Sequence, residues 1–253
     1  MDRIETATVA EIAAESLAAV RIFEKYGIDY CCGGKRPLKE ICLPNHQNAS
    51  VLREELKAAL EGKTPREQDW KSLPLHRLIQ HIVAVHHAYL RRELPALQAR
   101  LGKVYSVYNQ RYGPTLAGLP EVFAELRAEL ESHMRKEEEI LFPAIRAIES
   151  ATDAGRPLPP LPFGTIVNPI HMMQAEHDAA GVGLNRIREI TGNFEIPEYA
   201  CVTYKALMSG LAELETDLHL HIHLENNVLF PRANRMEMAN RSMYRSNGKP
   251  FIE

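Results

Sequence analysis

The chain has 253 residues, 45% hydrophobic and 25% charged, with a formal net charge of -3. That length suits one large or two small domains, and the near-balanced charge gives no reason to expect nucleic acid or an anionic membrane surface as a partner. No apolar run approaches the ~20 residues that a membrane helix needs, the polar start Met1-Asp2-Arg3-Ile4-Glu5 lacks the layout of a signal peptide, and Cys31, Cys32, Cys42 and Cys201 are too unevenly placed for a disulfide framework; a cytoplasmic protein is expected.

Residues 1–62 read as a small helical module. Thr8 can cap a helix, with Glu11 completing a capping box. Ser16 can cap a second, running through Leu17, Val20, Ile22 and Phe23 to a stop at Gly27. Tyr30-Cys31-Cys32-Gly33-Gly34 follows, then a short helix over 37–42 and a longer one over 49–60 with Ser50 as cap. Residues 63–72 are polar and contain Pro65, as a linker does.

From residue 73 to 236 the pattern is four long helices, which implies an all-α, up-down four-helix bundle. The first runs from about Ser72 or Leu73 to Tyr112 through Pro95, the second from about Pro120 to Glu149 through Pro143. The third spans about Pro169 to Thr191 and the fourth about Pro197 to Met236 through Pro231. Pro157, Pro159, Pro160 and Pro162 make 150–165 a loop, and 237–253 is expected to be a loose tail.

Two of these helices carry the same motif. His133-Met-Arg-Lys-Glu137 precedes Ile140-Leu-Phe-Pro143, and His221-Ile-His-Leu-Glu225 precedes Val228-Leu-Phe-Pro231. Residues four apart share a helix face. Each pair interrupts an apolar stripe: Leu119, Phe123, Leu126, Leu130, then Ile140 and Ala144 in one helix, and Leu207, Leu211, Leu214, Leu218, then Val228 in the other. A solvated surface pair and a metal-free polar network are the bland readings. A carboxylate on a core-facing stripe favours a metal instead, because carboxylates are rarely buried unless paired or ligated. His177 interrupts the stripe Ile170, Met173, Ala180, Leu184 in the same way. In the first helix His86 and His87 both fall on apolar faces, and periodicity does not choose between them. Four imidazoles and two carboxylates suit two ions. This thiolate-free set, with open positions, favours iron over structural zinc.

The blocks His87-Ala-Tyr-Leu-Arg-Arg-Glu-Leu-Pro95, His133–Glu137, Glu176-His177-Asp178 and His221–Pro231 resemble the hemerythrin-like domain of the iron–sulfur cluster repair di-iron proteins, the RIC family. Tyr30-Cys-Cys-Gly-Gly34 resembles the signature of that family's ScdA-type N-terminal domain. The resemblance implies iron ligands at His87, His133, Glu137, His177, His221 and Glu225, with Glu137 and Glu225 bridging. It implies a non-haem di-iron centre with an oxo or hydroxo bridge, and damaged iron–sulfur proteins, NO and O2 as partners. The implied work is cluster repair after oxidative or nitrosative stress, by iron donation or nitric oxide reduction. A hemerythrin-type gas sensor or store without turnover is the alternative, and a structural dimetal site a third.

Cys31 and Cys32 read as a redox, iron-handling or docking pair, against two small residues beside a turn. Glu176 is a candidate proton relay or a surface carboxylate. His219 and His223 read as solvated, because Glu215, Thr216 and Asn226 share their face. His171 reads as surface, and His81 as packing or as support for the site. A homodimer through the N-terminal module is expected.

Overall fold

The computed structural model describes residues 6–31, 33–41, 49–61, 70–112 and 116–246, and its elements are helices without strands among the described residues. They are α1 (Val9–Ala13), α2 (Leu17–Lys25), α3 (Leu38–Ile41), α4 (Ala49–Glu61), α5 (Leu75–Ile82), α6 (Ala88–Tyr112), α7 (Leu119–Lys136), α8 (Phe142–Asp153), α9 (Val167–Ile190), α10 (Val202–His223) and α11 (Phe230–Ser246). Three π-helical turns interrupt what would otherwise be longer α-helices: Val83–His87 joins α5 to α6, Glu137–Leu141 joins α7 to α8, and Leu224–Leu229 joins α10 to α11.

The chain divides into two compact units. One comprises 81–144 and 167–218. There α6, α7, α9 and α10 enclose an apolar core, with Leu94, Leu97, Phe123, Leu126, Leu184, Leu207 and Leu211 among its members. Leu94, Leu97, Phe123 and Leu207 have no solvent exposure at all. Each buried Leu or Phe of this kind contributes roughly 1.5–3 kcal/mol. Pro95 sits inside α6.

The other unit comprises 1–80, 145–166 and 219–253. Its N-terminal helices start where their caps dictate. Glu11 N donates to Thr8 Oγ1 (3.2 Å) while Thr8 N donates to Glu11 Oε2 (2.8 Å), so the expected capping box is present. Ser16 Oγ accepts from Ala18 N at 3.1 Å. Gly27 follows the end of α2 with a φ of 63°, the left-handed backbone that glycine adopts most cheaply. Ser50 does not cap α4, which already runs from Ala49. Val9, Ile12, Phe23, Leu38, Leu52 and Leu56 form the core of this part. At the end of the expected linker Trp70 is buried, and its carbonyl accepts from Arg232 Nη1 at 3.0 Å.

Two features of this unit were invisible as local pattern. The loop after α8 is tied down by α11. Thr165 Oγ1 and Ile166 N donate to the buried Glu237 carboxylate at 2.8 and 3.1 Å, and Asn240 Nδ2 donates to Arg156 O at 3.0 Å. Residues 237–246 are therefore helical rather than a loose tail, because buried Glu237 and Asn240 have partners only if the helix continues. Glu149 plays a similar role for α5: its carboxylate accepts from Leu75 N (2.5 Å) and His76 N (2.8 Å), capping a helix 74 residues earlier in the chain. Replacing Glu149 with Ala should destabilise the fold by about 2 kcal/mol. Urea denaturation checks this, and an unchanged midpoint would show that the cap is dispensable.

Candidate metal centre

The π turns fall on the motif. His87 ends the first, Glu137 opens the second, and Glu225 is the second residue of the third. Such bulges concentrate at functional sites, because an extra residue per turn re-aims side chains. Two of the three have a cause in the sequence. Phe142-Pro143 and Phe230-Pro231 follow them directly, and proline neither donates to the preceding turn nor fits against its carbonyl. A widened turn just upstream absorbs both problems. The bulge also moves the inward position by one residue. Ile140, expected on the core stripe, is 48% exposed, and Leu141 at 1% takes its place.

All six residues expected to hold metal are buried, and Glu137, Glu225 and His87 have no exposure at all. Ligand atoms of His87, Glu137, His221 and Glu225 all lie within 4.8 Å of one another, and so do those of His133, Glu137, His177 and Glu225. Both carboxylates belong to both groups. Glu137 Oε2 stands 3.3 Å from His87 Nε2 and 3.4 Å from His133 Nε2. Among the described residues, neither Glu137 oxygen accepts a hydrogen bond. A buried carboxylate in that condition costs several kcal/mol unless positive charge compensates it. His133 Nε2 and His177 Nε2 approach to 3.0 Å, and His221 Nε2 lies 3.0 Å from Glu225 Oε1. The donor set therefore fits cations, and its imidazole and carboxylate chemistry suits iron.

Two outer carboxylates fix the tautomers. Glu138 Oε1 lies 2.5 Å from His87 Nδ1, and Glu176 Oε2 lies 2.8 Å from His133 Nδ1. A carboxylate there accepts a hydrogen bond from Nδ1–H, which keeps the proton on Nδ1 and leaves Nε2 bare for a metal. Burial alone would raise both carboxyl pKa values. The hydrogen bonds from Arg91 and His87 to Glu138, and from Lys136 and His133 to Glu176, outweigh burial and hold both below the usual range. Glu138 was not apparent in the sequence. Its signal was Arg91, one turn after His87, whose Nη2 bonds it at 2.8 Å. A cleft of about 320 Å3, lined by Arg91, Glu131, Met134, Arg135, Glu138 and Glu139, opens beside it. Glu176, expected as a relay or a surface group, stands against His133.

His86 and His87 are both buried, since the π turn places both inward, and only His87 joins a metal-type group. His86 Nδ1 pairs instead with Asp217 Oδ1 at 2.9 Å, and its ring meets His81 edge-on. His171 is exposed. The solvated reading of His223 is overturned: it is 1% exposed, 5.5 Å from the Tyr30 ring, and burial lowers its pKa to about 4. His219 is half-buried, with its ring 6.2 Å from the same tyrosine. The supposed polar face is occupied, because Arg188 pairs with a buried Glu215. Cys31 is buried, and its thiol donates to Asp29 Oδ1 at 3.3 Å; Cys32 and Cys42 lie outside the described residues. A Cβ on Gly34 would stand 2.4 Å from Tyr30 O, so that glycine serves a tight turn whatever the thiols do.

Comparison with known proteins decides the family. The model of the hemerythrin HHE cation binding domain matches residues 78–233, and ScdA_N, a domain of unknown function (DUF542), matches 5–60. The iron–sulfur cluster repair protein YtfE of Escherichia coli O157:H7 is 40% identical over 226 residues, covering 89% of this chain and 95% of that one. The YtfE proteins of Escherichia coli O1:K1 and of Escherichia fergusonii are 39% identical over the same span. This chain belongs to the hemerythrin HHE family. Within it the chain groups with the iron–sulfur cluster repair proteins, and its all-α, hemerythrin-like helical bundle is the fold of that family. No described helix is long and apolar enough to cross a membrane.

If the HHE side chains act as placed, His87→Ala should lose bound metal while His86→Ala retains it, as metal analysis after desalting would show. Glu138→Ala and Glu176→Ala should each weaken metal binding about 10–100-fold. Competition with a chromophoric chelator measures this, and equal affinity in all variants would deny the carboxylates their supporting role.

Proposed function

We propose that this protein holds two iron ions in the groups His87, Glu137, His221, Glu225 and His133, Glu137, His177, Glu225, and helps restore iron–sulfur clusters damaged by oxidative or nitrosative stress. The observation that carries this reading is the sharing of Glu137 and Glu225 by both groups. Two carboxylates, each offering two oxygens, can serve a pair of ions that imidazole alone would leave uncompensated. The names of its relatives, each an iron–sulfur cluster repair protein, support the biology. Bound iron would supply redox chemistry toward small oxidants such as nitric oxide and a store of metal for a damaged cluster.

The chain's own residues do the rest. Glu138 and Glu176 keep Nδ1 protonated on His87 and His133, so each Nε2 points inward as a donor. The leucine-rich core of α6, α7, α9 and α10 limits water beside the site. Cys31, with its neighbour Cys32, would recognise clients or pass electrons. The reading places the protein in the cytoplasm and pairs two copies through the N-terminal module, which the native mass in solution checks.

The decisive experiment treats a [4Fe–4S] enzyme with nitric oxide and follows its recovery. Iron-loaded wild type should restore activity, and Glu137→Ala should do no better than buffer. Mössbauer spectra of protein purified without oxygen should show paired high-spin iron. A stable gas adduct with no recovery of the client would instead make it a gas-binding protein. Recovery at the wild-type rate by the Cys31→Ser, Cys32→Ser protein would remove the thiols from the mechanism.

A further inference from the structure

The loop that carries Cys31 is held twice, by different means. Its own turn is fixed by Asp29: Cys31 N donates to Oδ1 at 2.9 Å, and Gly33 N donates to Oδ2 at 2.8 Å. Its carbonyls are fixed from far along the chain. Asn227 Nδ2 donates to Tyr30 O at 3.4 Å and to Cys31 O at 3.3 Å. One carboxamide has two N–H groups, so it can serve both carbonyls at once. His223 completes the contact. Its Nδ1 lies 3.4 Å from Tyr30 O and 3.1 Å from Asn227 Nδ2, and its ring stands edge-on to Tyr30. Tyr30 is itself buried, with its hydroxyl on Glu24 at 2.9 Å.

The positions of the two holding residues matter. His223 lies between His221 and Glu225, and Asn227 lies two residues beyond Glu225. Asn227 and Glu225 share the π turn Leu224–Leu229. A π turn is an irregular stretch held in place by its surroundings rather than by its own propensity. Here one backbone geometry must aim Glu225 toward the metal groups and Asn227 toward two loop carbonyls. Anything that stabilises this geometry for one purpose stabilises it for the other, and thermodynamic linkage makes the effect reciprocal.

We propose that Asn227 and His223 form a latch coupling occupancy of the metal site at His221 and Glu225 to shielding of the Cys31 thiol. The latch rests on the metal-binding reading given above. With a cation bound, the π turn is fixed, the two carbonyls stay on Asn227, and Cys31 remains covered. When the cation leaves, the turn loosens, the loop is released, and Cys31 becomes accessible. The thiol is thereby offered to a reaction partner at the stage when the site has given up its metal. The exposed Cys201 lies outside this device and serves as an internal reference.

The test reads the rate of iodoacetamide alkylation at Cys31 in full-length Cys32→Ser protein, by mass spectrometry, without oxygen. In wild-type sequence at position 227, ferrous iron should slow labelling of Cys31 about fivefold or more, the lower end of usual coupling between sites. Labelling of Cys201 should not change. Asn227→Leu keeps the size and removes the N–H groups. It should label fast with or without iron, and by reciprocity it should bind ferrous iron about fivefold more weakly. Should that variant lose the N-terminal helices by circular dichroism, His223→Phe gives the same reading, since it keeps the ring against Tyr30 and removes Nδ1. Iron that binds at two per chain yet leaves Cys31 labelling unchanged would overturn the latch and leave the metal reading intact. Iron that does not bind at all would overturn both.

Discussion

Two carboxylates without any solvent exposure set the terms for this molecule. Glu137 and Glu225 sit where the apolar stripes of their helices would otherwise be continuous, and each stands beside imidazole nitrogens. An ionised carboxylate in that position is a liability of several kcal/mol for an apoprotein. The surrounding structure is arranged to accept it. Leucines close the core of the bundle, and a second layer of carboxylates orients the histidines. The metal groups are thus built at a cost to stability that a bound cation would offset.

Around that demand the chain bends its own rules. A π turn occurs at each of His87, Glu137 and Glu225. In two of the three, the Phe-Pro step that follows makes the bulge the less strained choice. The third, at Val83–His87, has no proline close behind it, and nothing local in the sequence accounts for it.

The helices and their caps were legible because they rest on short-range chemistry. Thr8, Glu11, Ser16 and Gly27 act within one turn of themselves. The six metal-type residues were legible as polar interruptions in apolar stripes, with the choice of His87 over His86 supplied by resemblance. What was not legible depends on a change of register or on distant contact. A uniform period put Ile140 inside, whereas the bulge exposes it. The same period put His223 in water, because Tyr30 approaches from nearly two hundred positions earlier. Glu138 looked like one more charge in a run of three, and only its approach to His87 gives it a task. The short-range signals around 237–246 likewise read as a tail, since the partners of Glu237 and Asn240 lie in the loop after α8.

That last contact gives the C-terminal helix a purpose beyond the family match, which ends at 233. From Glu237 to Tyr244 it works as a buttress, gripping the proline-rich segment at Thr165, Ile166, Arg156 and Gly155. That segment feeds directly into α9, the rod bearing His177. A protein trimmed to the boundaries of the matched domain would thus keep all six candidate ligands in its sequence while losing the brace at the foot of one of them.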